Sequence, residues 1–105
     1  MGQTEISARR FHLLSDPIRL KIILLLRDGE MCVGALAEAL GLNQPKVSYH
    51  LKLMHNENLL KRRTEGTWSY YSLTTDVRDW VRREVDTLLS AAPNGGENQL
   101  KSQVS

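Results

Sequence analysis

Three kinds of side chain could do chemistry here: one thiol, three imidazoles, and a set of hydrogen-bonding and cationic groups between Asn43 and Thr67. The thiol is Cys32. A single cysteine excludes an intrachain disulfide and any all-thiolate metal site within one chain. A free cysteine is most often a small buried hydrophobe, yet an accessible thiol can also sense oxidants or electrophiles. Cys32 is therefore the candidate sensor. A nucleophile pair of Cys32 with a histidine would need an acid to orient the imidazole, and none stands nearby. No glycine-rich phosphate loop and no paired carboxylates of a cleft are visible. No catalytic residues and no enzyme activity are expected.

The third set is the most informative. The run NQPKVSYHLKLMHNEN, residues 43–58, has the pattern of a helix with two different faces. Asn43 is a good N-cap, and Pro45 falls in the first turn, where a missing N–H costs little. Val47, Leu51 and Met54 recur at helical spacing as one apolar stripe. The opposite face carries Gln44, Ser48, Tyr49, Lys52 and His55. A solvated helix face usually mixes Glu with Lys, but no acid occurs here before Glu57. Amides, hydroxyls, a ring and a cation without carboxylates suit a helix that enters a DNA groove.

The charge distribution agrees. The net charge is only +2, but between Asn43 and Thr67 five bases (Lys46, Lys52, Lys61, Arg62, Arg63) meet two acids. Such a concentration is the footprint of a phosphate-binding surface. With 105 residues the chain can bury one modest core, and chains of this size often complete their burial by dimerising. No apolar run approaches the roughly 18–20 residues of a membrane span, and the N-terminus lacks the apolar region of a signal peptide. These features lead to the expectation of a cytoplasmic protein with no membrane partner.

The elements that must position this surface follow in order. A helix is expected over residues 4–14, capped by Thr4. Ser15-Asp16-Pro17 starts a second helix reaching about Arg27, apolar nearly all round and hence central, with Arg19, Lys21 and Arg27 on its solvent side. Glu30 to Cys32 reads as a short extended piece. Val33 to Leu40 reads as a third helix ended by Gly41, one residue before the Asn43 cap. Helix, tight turn, helix is the helix-turn-helix motif. After Asn58 the period changes to that of strands, and Gly66 turns a hairpin carrying Arg62, Arg63 and Thr64. A hairpin directly after a recognition helix is a wing. The helix from Asp76 to Ser90 has a strong stripe of Val77, Trp80, Val81, Val85, Leu88 and Leu89. With Phe11 of the first helix, it is expected to form a dimer seam. Residues 1–92 are expected to be one domain and 93–105 a disordered tail.

These pieces together resemble the ArsR/SmtB family of winged helix-turn-helix repressors. LSDPIRLKIILLL, EMCVGALAEALGLNQPKVSYHLKLMHNENLL and RRTEGTWSYYSL lie without gaps over the family patterns ADPTRLxIL, ELCVxDLA, SQPxVSxHLxxLxxAGLV and RxGxxxYYxL. The likeness covers about residues 8–90. It implies a mainly α fold with a β-hairpin wing, and a homodimer that binds double-stranded operator DNA. It also implies that DNA affinity falls when a metal or another signal binds. By position, Gln44, Ser48, Tyr49 and His50 match the recognition helix, and the stretch from Arg62 to Thr67 matches the wing. Pro45, Lys46, Lys52, Arg62, Arg63, Thr64 and Gly66 complete the expected DNA surface. The chain departs from the family at its metal sites. Cys32 matches the first position of a CVC-type motif, but Gly34 stands in place of the second Cys, and the last helix has no His. Both family-type metal sites are incomplete, so no cofactor is assigned. The competing reading is a winged helix that contacts another protein and binds no duplex. The basic stretch and Gln44-Pro45-Lys46 favour DNA.

Overall fold

The computed structural model describes residues 2–91, so the tail expected at 93–105 lies outside the described residues. The first helix, α1 (Gln3–His12), is capped by the backbone of Gly2 rather than by Thr4, which falls inside its first turn. A 3-10 turn (Leu13–Ser15) leads to Asp16. The Asp16 carboxylate accepts from the amides of Ile18 at 2.8 Å and Arg19 at 3.4 Å, and so caps α2 (Pro17–Leu26). Desolvation opposes the charge on Asp16, but those two amides prevail and hold its pKa below the ordinary value.

α2 is central in its packing, against α3, α4 and β3, but it is not buried on all sides. Ile22 and Leu26 are buried, whereas Leu20 and Leu24 lie on its exposed side at 44% and 55% accessibility. Arg19 is not on the solvent side either, since only 5% of it is accessible.

Next comes a two-residue strand, β1 (Met31–Cys32), and then α3 (Val33–Leu40). Gly41 ends α3 at φ 67°, a left-handed conformation that a residue without Cβ adopts at no steric cost. The amide of Leu42 turns back to Ala37 O at 3.0 Å, so that α4 (Gln44–Asn56) starts at once. Asn43 Oδ1 accepts from the amide of Lys46 at 2.9 Å, the N-cap expected of it. The far end of α4 closes with paired back-bonds, Asn58 N–H to His55 O and Leu59 N–H to Met54 O, both at 3.0 Å. Asn58 takes φ 65° there, which Asn tolerates better than most residues.

The wing is β2 (Leu60–Glu65) and β3 (Trp68–Leu73), joined through Gly66 at φ 60° and Thr67. β1 adds to the other edge of β3, giving an antiparallel sheet of order β1-β3-β2. The register pairs Cys32 with Tyr70, and Tyr70 in turn with Arg63. The chain ends in α5 (Val77–Leu89), capped by Asp76. The Arg78 guanidinium and backbone amide together pull the Asp76 pKa down to about 2.

The core lies where α2, α3 and α4 meet the base of the sheet. Ile22, Leu36, Val47, Leu51, Met54 and Leu59 are all fully buried there. Each such side chain contributes roughly 1.5–3 kcal/mol relative to exposure. Three of the six belong to α4 or its stripe, so the helix with the polar outer face is also the one most firmly seated. α5 folds back on α1 around a buried carboxylate. Glu84 accepts from Ser7 Oγ at 2.6 Å and from Arg10 Nη1 at 2.7 Å, and Arg10 Nε also reaches Glu57 at 3.1 Å. With every buried side-chain polar atom among the described residues partnered, this cluster fixes the α1–α5 register without a stranded charge.

Candidate nucleic-acid interface

The inward stripe Val47, Leu51, Met54 leaves the other side of α4 facing out. Gln44, Pro45, Lys46, Ser48, Tyr49, Lys52 and His55 are all exposed. No acidic side chain interrupts them. Tyr49 is 61% accessible, high for an aromatic residue on a well-packed helix.

His50 departs from the expected surface. It is only 6% accessible and points to α2, so it reads no base edge. Arg19 Nη1 lies 3.1 Å from His50 Nδ1, while Arg19 Nε and Nη2 donate to Leu13 O at 2.8 Å and His12 O at 3.1 Å. A guanidinium has no acceptor, so Nδ1 must be the acceptor and the ring proton sits on Nε2. The imidazole is thus held neutral. Burial lowers its pKa, Asp16 opposes that, and the charges of Arg19 and Lys46 lower it further. This buried pair ties the recognition helix to α2. Sequence reasoning missed it because it placed Arg19 in solvent. The signal available was the Asp16 cap, whose first turn carries Arg19 toward the core.

The two wing arginines part company for a simple reason: adjacent strand residues point to opposite faces. Arg62 pairs across the strands with Tyr71, is exposed, and makes no ion pair among the described residues. Arg63 is clasped. Its guanidinium meets Glu30 and Glu65, each at 2.6 Å, and lies over the Tyr70 ring at 4.5 Å from the centroid. Bonding to Glu30 and then Glu65 raises its pKa above the ordinary arginine value, while bonding to Arg63 lowers that of Glu30. Arg63 is therefore locally neutralised, which corrects its expected equivalence with Arg62. Thr64 and Gly66 are exposed at the hairpin tip.

Cys32 is half-buried and caps α3, its Sγ accepting from the amide of Ala35 at 3.4 Å. Among the described residues no three His, Cys, Asp or Glu side chains come together as a metal site.

The α5 stripe divides in two. Trp80 is a core residue, 8% accessible, with its indole N–H donated to Glu57 O at 3.3 Å, which corrects its expected place in a dimer seam. Val77, Val81 and Leu88 are half-buried, as is Phe11 on α1. Val85 and Leu89 remain open at 37% and 78% accessibility.

Residues 16–62 match the family model described as "Bacterial regulatory protein, arsR family". The chain is 42% identical over 77 residues to the arsenical resistance operon repressor of Escherichia coli, covering 72% of this chain and 66% of that protein. It therefore spans just under two thirds of that relative's length. It is 33% identical over 90 residues to the transcriptional repressor SdpR of Bacillus subtilis, covering 86% of this chain and 96% of SdpR. Among solved structures it is similar to the homodimeric winged helix-turn-helix DNA-binding domain Mb0332 from Mycobacterium bovis. That likeness has a TM-score of 0.67 at 29% identity and covers 88% of this chain and 87% of the other.

Proposed function

The chain belongs to the ArsR family of bacterial DNA-binding transcriptional regulators, and on that premise we propose how it holds its operator. Two copies associate through the open α5 residues Val85 and Leu89, with Val81, Leu88 and Phe11 beside them. The twofold dimer then presents two α4 helices to successive major grooves about 34 Å apart, on an imperfect inverted repeat. Gln44, Ser48 and Tyr49 read base edges, Gln44 being suited to adenine. Lys46, Lys52 and Arg62 neutralise phosphates, while Thr64 and Gly66 bring the wing backbone to the duplex. The protein acts in the cytoplasm as a repressor and carries out no covalent chemistry.

The observation that carries this reading is the acid-free outer face of α4, firmly seated by its buried stripe and flanked by the uncommitted Arg62. The name of the Escherichia coli relative points to arsenicals, but trivalent arsenic takes soft thiolates, and Cys32 is alone and engaged as a helix cap. Release of this repressor accordingly runs through something other than a thiolate cluster within one chain.

A mobility-shift titration on the duplex upstream of its own gene tests the proposal. Specific retention that survives excess random duplex is the expected result. Equal retention of both duplexes, or none at low salt, would defeat it.

A further inference from the structure

A groove of about 360 Å³ runs between the start of α4 and the wing. Gln44 and Ser48 form one wall, Thr67, Trp68 and Ser69 the other, and Gly34 of α3 part of the floor. No acidic residue lines it. Trp68 stands 59% accessible at its rim, in contrast to the buried Trp80. The hydroxyls of Ser48, Thr67 and Ser69, the Gln44 amide and the Trp68 indole N–H have no partner among the described residues. Uncommitted polar groups and one open aromatic face therefore border a single slot.

Its place in the fold says what would fill it. A helix in the major groove and a wing over the adjacent minor groove must straddle one sugar–phosphate strand. The slot lies between those two elements. Its neutral donors suit phosphate oxygens, which accept from hydroxyl, amide and indole groups as well as from cations. The flat indole suits the apolar face of a deoxyribose. The first turns of α3 and α4 border the slot, and their amide ends add positive potential; Glu65, opposite Trp68 across the hairpin, is held by Arg63.

Resting on the DNA-binding reading, we propose that this slot clamps one sugar–phosphate strand of duplex DNA, with Trp68 against a deoxyribose and Thr67 toward its phosphates. Trp68 is then a grip residue that holds any sequence, and the base readers on α4 work from the register it sets.

The test compares operator and random duplex. Trp68→Ala should weaken binding to both by the same factor, roughly tenfold, which corresponds to about 1.4 kcal/mol. The slope of affinity against salt should not change, because no cation is removed. Trp68→Phe should recover part of the loss by restoring the apolar contact, and Thr67→Val should lose several-fold on both duplexes. Trp80→Phe leaves Trp68 as the only indole, and its emission should be quenched by either duplex. Should Trp80→Phe not fold, the affinity series stands without it. Unchanged affinity of Trp68→Ala, a loss confined to the operator, or emission indifferent to duplex would each overturn the clamp. A wild-type chain that binds no duplex at low salt would instead remove the DNA premise, and the occupant of the slot with it.

Discussion

Protonating or replacing His50 should loosen the recognition helix, by an amount that can be worked out from its contacts. Arg19 spends its guanidinium on Leu13 O, His12 O and His50 Nδ1, and both residues of the pair are nearly inaccessible. An imidazolium offers only donors, so protonation turns the 3.1 Å contact from attractive to repulsive. A hydrogen bond to a charged group contributes about 1.5–3 kcal/mol. His50→Leu should therefore cost about that much, and in a domain of this size lower Tm by on the order of 10 °C. His50→Asn places an amide oxygen near the position of Nδ1 and cannot titrate, so it should recover most of the loss. The pH dependence follows from the direction of the shift. Burial, with Arg19 and Lys46, lowers the folded pKa below the ordinary 6.5. Above 6.5 neither state binds the proton and the full stability is present. As pH falls below that value the unfolded chain takes up the proton first, and stability declines until the folded pKa is passed. Denaturant melts between pH 8 and 5 would show this as a downward slope in the wild type that is absent in His50→Asn. The exposed His12 and His55 are common to both proteins and cancel in the comparison. Operator affinity should follow the same difference. Parallel pH profiles for the two proteins, or a His50→Leu variant as stable as wild type, would refute the assignment.

Further perturbations separate the parts of the interface. Arg62→Ala should weaken binding to all duplexes and reduce the salt slope by about one. Arg63→Ala should change that slope little, because Glu30 and Glu65 already compensate its charge; salt titrations of both variants decide the matter. Gln44→Ala should lose about 1–3 kcal/mol of discrimination against a changed base pair while leaving the salt slope intact, as competition binding would reveal. Val85→Glu should make the protein monomeric in sedimentation at concentrations where the parent is a dimer, without a change in its helical circular dichroism. Cys32→Ser keeps a capping acceptor, so repression should persist with every inducer response unaltered in a reporter strain; loss of one response alone would make the thiol a sensor.

The parts of this fold that could be read from the sequence are those set by neighbours in the chain. The Asn43 cap, the Gly41 stop, the Val47–Leu51–Met54 stripe and the Gly66 turn each depend on spacings of a few residues, and each lies where expected. The errors share another origin. Arg19, Arg63 and Trp80 are misplaced because one partner of each stands far off in sequence, at His50, at Glu30 and at Glu57. Hydropathy sends an arginine to solvent, and only the third dimension reveals two carbonyls and an imidazole waiting for it. The same limit hid the slot beside Trp68. Its walls come from α3, α4 and β3, and nothing local distinguishes a strand tryptophan that packs from one that stands open. Base-reading groups lie on one helix and are legible from its period. The slot proposed to grip the backbone is assembled from three elements and becomes visible only once the wing is folded against α4. A reading of α4 alone therefore finds the base readers and the phosphate-binding Lys46 and Lys52, and misses the grip that the wing completes. Exchanging Gln44, Ser48 and Tyr49 while keeping Lys46 and Lys52 should redirect specificity in competition binding and leave affinity for random duplex near its parent value.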